Sequence, residues 1–196
     1  MAESTSGDRA VTDAIDLLLA QHARIEQLFR EVLDAQGEQR RQRFEELVRL
    51  LAVHETAEEE VIHPLARSRI DAGAEVVQAR LAEERMAKEL LARLSEDGTD
   101  APDFEDRFIT LRDIVLLHAK REERYEFPHL RQVTDVRTRA RLADAVRIAE
   151  MIAPTRPHPG VESATANILL GPGLAMVDRL RDALRDALRE RGQQPA

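Results

Sequence analysis

Apolar residues recur along this chain at the three- and four-residue spacing of helices that bury one face. Ile15, Leu18, Leu19, Ile25, Leu28, Phe29 and Val32 form the first stripe. Asp13 stands before it as an N-cap, with Asp16 in the first turn, and Gly37 follows its end. A second stripe of Phe44, Leu47, Leu50, Leu51, Val61 and Leu65 predicts a helix over 38–67, with Pro64 bending or weakening its last turns. Residues 71–73 supply a break, and a third helix is expected over 74–95. Gly98 and Pro102 mark the turn 96–102, and a fourth helix is expected over 103–130. Four helices with short connections predict an all-α, up-down four-helix bundle.

The pattern continues beyond the bundle. A fifth helix is expected over 135–153, then a Pro/Gly-rich loop over 154–173, then an amphipathic helix over 174–191 with Leu174, Val177, Leu180, Leu184 and Leu188 on one side. That last helix cannot bury its face alone, so it packs on the bundle or forms a dimer contact, making the protein a monomer or a homodimer. The domain reading is a flexible N-terminus at 1–12, the bundle at 13–131 and a C-terminal helical extension at 132–196. Composition agrees: aromatics are 3% of the chain, too few to favour a sheet. There is no Cys, which excludes disulfides and thiolate metal sites. The polar N-terminus and the lack of a spanning apolar run lead to an expected cytoplasmic location without membrane contact. A formal charge of -8 disfavours nucleic acid as partner, and the Arg-rich stretches 40–43 and 137–141 read as solvated helix faces.

The candidate chemistry lies in a duplicated cassette. His54 is followed four residues later by Glu58 and then by Pro64, and His118 by Glu122 and then by Pro128. Residues at i and i+4 lie one above the other on a helix, so each cassette sets an imidazole beside a carboxylate. His54 and Glu58 share the stripe of Leu47, Leu51 and Val61, His118 and Glu122 that of Leu111, Ile114 and Val115, and His22 that of Ile15, Leu18 and Phe29. Buried carboxylates require a cation or a proton. With imidazoles aimed at the same place, a metal satisfies both groups.

These residues resemble the hemerythrin-like family, also called HHE cation-binding domains, over about residues 13–130. The resemblance rests on the order of His22, His54 with Glu58, one ligand from helix three, and His118 with Glu122, in the runs HETAEEEVIHPL and HAKREERYEFPHL. It implies two iron ions joined by carboxylates and an oxo or hydroxo bridge, with manganese or zinc as substitutes, meeting oxygen, peroxide or nitric oxide as the small-molecule partner.

Helix three departs from the family, which usually has a His in a phrase that reads Glu83, Glu84, Arg85, Met86, Ala87, Lys88 in this chain. Phase selects Glu84 as the inward residue, because Val77, Leu81, Ala87, Leu91 and Leu94 lie at helical offsets from it. The same offsets from Arg85 reach Gln78, Ala82, Lys88, Ala92 and Ser95. The expected ligands are therefore His22, His54, Glu58, Glu84, His118 and Glu122. Tyr125, seven residues after His118, is expected on the inward face as a further ligand or a neighbour of the site. Lys88 stands where oxygen-carrying hemerythrins place a second His, and Glu26 and Glu123 are weaker candidates that read as solvent-facing or supporting groups.

Three carboxylates lower the charge of a diferric, oxo-bridged centre to about one, against about two with His at position 84. That favours the oxidised state and sensing, scavenging or weak oxidase or catalase-type chemistry over reversible oxygen carriage. Two other readings compete with this one. A ferritin-like di-iron carboxylate protein would use Glu60 with His63 and Glu126 with His129, but Glu60 and His63 point away from the apolar stripe, Pro128 interrupts the second pair near its helix end, and both His read as surface. In a metal-free helical interaction module the C-terminal helix would recruit a partner and the inward polar groups would satisfy one another, with Arg85 or Lys88 available to neutralise carboxylates.

Overall fold

The computed structural model describes residues 13–152. The N-terminal segment and the expected loop 154–173 and helix 174–191 lie outside the described residues. The described chain is all-helical, in five helical rods. The first is α1 (Ala14–Asp34). The second comprises α2 (Gly37–Ala57), a π-helical turn (Glu58–Ile62) and α3 (His63–Arg69). The third is α4 (Gly73–Asp97). The fourth repeats the composite form as α5 (Phe104–Arg121), a second π-turn (Glu122–Glu126) and α6 (Phe127–Val133). The fifth is α7 (Val136–Ile152).

Local chemistry accounts for the ends. Asp13 caps α1, its Oδ1 accepting from the Ile15 amide at 2.9 Å, as its position in the sequence led us to expect. Its Oδ2 accepts from Arg139 Nε of α7 at 2.5 Å, so one carboxylate ties the first helix to the fifth. Between α3 and α4 the chain turns through Ala72 at φ 55, directly before Gly73. A Cβ on Gly73 would lie 2.3 Å from the Ala66 carbonyl oxygen and 3.0 Å from the Arg67 Cα. Gly73→Ala, which in an open helix would gain about 1 kcal/mol of propensity, is expected instead to cost roughly 1–3 kcal/mol through backbone displacement. A lower melting temperature checks this; an unchanged or higher one would contradict it.

The two π-turns occupy equivalent places, each opening at the cassette glutamate and ending just before a proline in the first turn of the next helix. In a continuous α-helix the Pro64 ring would meet the carbonyl four residues back. The helix widens instead, and the amides of His63 and Phe127 bond five residues back to the Glu58 and Glu122 carbonyls. One extra residue per turn rotates everything downstream by about 100° about the helix axis. Pro64 was expected to bend or weaken the helix; what it does is reset its phase.

Apolar side chains form two clusters on either side of a polar layer. One gathers Ile25, Phe29, Phe44, Leu47, Leu91, Phe104 and Phe108. The other gathers Ile15, Leu18, Val61, Leu65, Phe127 and Leu130 with Leu142, Val146 and Ala149 of α7. The fifth helix therefore covers the end of the bundle where the π-turns lie, packing on α1 and α2.

Candidate metal centre

The polar layer between the clusters holds all six expected ligands, and all are buried. Their atoms fall into two overlapping sets, one of His22, His54, Glu58 and Glu122 and one of Glu58, Glu84 and His118, each within 4.8 Å. Glu58 belongs to both. Its Oε1 lies 3.3 Å from His54 Nε2 and its Oε2 3.7 Å from His118 Nε2. Glu122 spans the site in the other sense, with Oε1 3.2 Å from His118 Nε2 and Oε2 3.4 Å from His22 Nε2. Each π-turn carboxylate thus directs one oxygen at each half of the layer.

Whether these residues fit a cation can be judged from atoms lacking partners. Among the described residues, all four oxygens of Glu58 and Glu122 are buried without a hydrogen-bonding donor in place, and so is one oxygen of Glu84. His22 Nε2 and His54 Nε2 face each other at 3.1 Å, an approach that two lone pairs do not tolerate without a proton or a cation. An orphaned buried carboxylate costs several kcal/mol. The donor set fits a cation.

Protonation in the metal-free site reflects the same crowding. Burial and the neighbouring Glu122 charge push Glu58 up to about 7, against the opposing pull of His118. Burial also acts on Glu122, but His118 and His22 outweigh it and hold Glu122 below the usual carboxylate range. Burial and the charge on His22 depress His54 well below its ordinary value. His22 is raised, burial being overcome by Glu122 and Glu58. One proton serves two facing rings.

The outer nitrogens of these rings are each held from behind. His22 Nδ1 lies 2.8 Å from Glu123 Oε1, His54 Nδ1 2.7 Å from Gln21 Oε1, and His118 Nδ1 3.1 Å from Glu83 Oε2. An imidazole donating Nδ1–H outward presents its Nε2 lone pair inward, the arrangement that orients metal-ligating histidines. Glu123 is thus a supporting group. Gln21 and Glu83 were missed in the sequence, although each directly precedes an inward residue, His22 or Glu84, at the same helical place.

The remaining candidates divide. Tyr125 is 62% exposed and does not reach the site. The expectation assumed continuous α-helical phase, and the second π-turn rotates Tyr125 out and Glu126 in. His63, expected on the surface, is buried for the same reason at the first turn, with Nε2 2.8 Å from Glu84 Oε1. Burial opposes its protonation, but Glu84 outweighs burial and raises it to about 9. Glu126 is buried with both oxygens unpartnered, and burial with the Glu122 charge pushes it up to about 7. His129 is exposed as expected. Lys88 turns aside to Glu59 and lies 3.4 Å from Glu55, while Glu26 is exposed and accepts from Arg30 at 2.7 Å. Arg85 is exposed, in keeping with the choice of Glu84 as the inward residue.

Residues 13–153 match the sequence profile described as Hemerythrin HHE cation binding domain. The chain belongs to that family. Its fold matches the crystal structure of a hemerythrin HHE cation-binding domain-containing protein from Mycobacterium kansasii, with a TM-score of 0.63, 22% identity, and coverage of 86% of this chain and 98% of the other. A DNA nickase of Nostoc sp. is 30% identical over 131 residues, which are 66% of this chain and 37% of the nickase. The HHE chain thus spans well under half the length of that relative. No described helix is long and apolar enough to cross a membrane.

Proposed function

We propose that this HHE protein holds two iron ions in the buried layer and reacts there with oxygen, peroxide or nitric oxide, as a sensor, scavenger or weak oxidase or catalase-type protein. The observation that carries the reading is the sharing of Glu58 and Glu122 between the two halves. Two carboxylates with one oxygen toward each half suit a pair of cations close together, not a single ion. Mixed imidazole and carboxylate donors suit iron, with manganese or zinc as competitors for the same atoms. The metals would supply redox and Lewis-acid chemistry; the protein's part is to hold donors in place and limit what reaches them.

A small cavity lined by His54, Glu84 and His118 on its polar side and by Leu51, Ala87 and Val115 on its apolar side leads to the layer. That lining suits a diatomic molecule or peroxide. The burial of every ligand speaks against a nucleic-acid substrate, so cleavage of DNA is not carried over from the nickase. The third carboxylate, Glu84, favours the oxidised state and so disfavours reversible oxygen carriage.

Protein produced with iron is expected to contain close to two iron ions per chain, to show oxo-to-iron charge-transfer absorption, and to change spectrum on stopped-flow mixing with peroxide. A colourless protein that gains no thermal stability from iron would overturn the metal reading, since a ligand held only by the folded state must stabilise it. A stable oxygen adduct that released its gas under vacuum would overturn the choice against carriage.

A further inference from the structure

The scaffold repeats itself, but the two halves of the site do not carry the same side chains. His63 and Phe127 each stand directly after a π-turn, at equivalent places. Phe127 stacks on His22, with ring centroids 5.6 Å apart and planes at 18°, and walls that half with carbon. His63 instead directs Nε2 at Glu84 Oε1, 2.8 Å away. Glu126 and Ile62, each closing its π-turn, differ in the same sense: Ile62 is apolar core, and Glu126 is a buried carboxylate beside His63. Unpartnered atoms gather on this side: His63 Nδ1, Glu84 Oε2 and both oxygens of Glu126.

We propose that His63 is a further metal ligand, which with Glu84 and His118 makes the metal position on this half richer in donors than the one at His22 and His54. The inference rests on the dinuclear reading above and adds to it an assignment of unequal positions. The contact between His63 and Glu84 is the metal-free form of a shared site: an imidazole and a carboxylate at 2.8 Å need little movement to take one ion between them. Glu126 adds a buried carboxylate close enough for its charge to act on His63, where the equivalent place of the other turn holds Ile62. The half with Glu84, His118 and His63 fills first. The half walled by Phe127 has fewer protein donors, so its ion would be held by His22, His54 and the shared carboxylates with a place left for a small molecule.

Anaerobic titration with cobalt(II), repeated with iron(II), tests this on the full chain. Wild-type protein is expected to bind two ions in separable steps. His63→Phe, which copies the residue of the opposite half, is expected to weaken the tighter step by at least about 10–100-fold, the cost typical of disturbing even a group behind a ligand, and to leave the other step in place. Pulsed EPR counting of coordinated imidazole nitrogens is expected to give four in wild type and three in His63→Phe. Three in wild type, or unchanged affinities in the variant, would overturn the assignment. The wild-type count decides the matter even where the variant does not fold. Failure of the wild type to bind either metal would instead sink the dinuclear reading itself.

Discussion

Glu58→Gln is expected to stabilise the metal-free protein while removing its capacity to hold a metal pair. Without metal, Glu58 is a fully buried carboxylate beside Glu122, with neither oxygen partnered and its ionisation pushed up to about 7. An amide keeps the shape and lacks the charge, so relief of the desolvation and like-charge cost is worth roughly 1–3 kcal/mol. With metal the balance inverts, because Glu58 is the residue common to both ligand sets. Loss of an anionic oxygen toward each half is expected to weaken binding on the order of 100-fold or more, exceeding the effect of groups that merely orient ligands. Thermal unfolding with and without cobalt(II) reads both effects. A variant that is less stable without metal, or that still binds two ions at wild-type affinity, would show that Glu58 is not a shared ligand. A residue kept at a cost to the empty fold is what a site built for an ion requires.

The second large effect is a fall in metal-free stability as pH rises from about 4.5 to 9. Glu126 is raised to about 7, mainly by burial and then by Glu122, against His63, Arg80 and His118. Glu55 is raised to about 8, mainly by burial, with Lys88 opposing. Both carboxyls bind protons more tightly in the folded state than in the unfolded chain, so the fold loses stability as pH rises from their ordinary value of 4.5 up to their folded values. His63 is raised to about 9 by Glu84 in spite of burial, so its contribution is complete below its unfolded value and disappears as pH rises through 9. The three act in one direction, at up to about 1.4 kcal/mol per pH unit for each proton that only the folded state retains. His54 and Glu122 are shifted the other way and cost stability in acid. Bound metal reverses the trend, since ligation requires deprotonated groups and strengthens with pH. The melting temperature of metal-free protein is therefore expected to drop over this range, while the increment given by cobalt(II) grows. A flat or rising metal-free profile would refute the crowded, proton-sharing site.

The legible part of the site was legible for a periodic reason. His22 and Glu84 lie on uninterrupted α-helices, and His54, Glu58, His118 and Glu122 at or before the start of a π-turn, where apolar residues at three- and four-residue spacing report the buried face correctly. The same rule separated Glu84 from Arg85 without any family pattern, and the structure buries the first and exposes the second. Errors begin one step further along. Tyr125 and Glu126 lie within the second widened turn and His63 directly after the first; a count that assumed 3.6 residues per turn placed Tyr125 inward and His63 at the surface, and gave Glu126 no part in the site. A signal was available in the prolines, at the same distance after each cassette glutamate, since a proline inside a buried helix must be accommodated by a local change of geometry.

The sequence by itself determined the helical class, the cap at Asp13, the duplicated cassette and the choice of Glu84, because each depends on local spacing and residue chemistry. It also determined that several carboxylates and imidazoles must share a dry interior. Only the tertiary structure decided how they share it: which oxygen of Glu58 and Glu122 serves which half, that Gln21, Glu83 and Glu123 hold the histidines from behind, and that His63 and Glu126 enter while Tyr125 leaves. Those outcomes follow from the extra residue in each π-turn and from contacts between helices far apart in the chain. Neither has a period that can be read along the sequence.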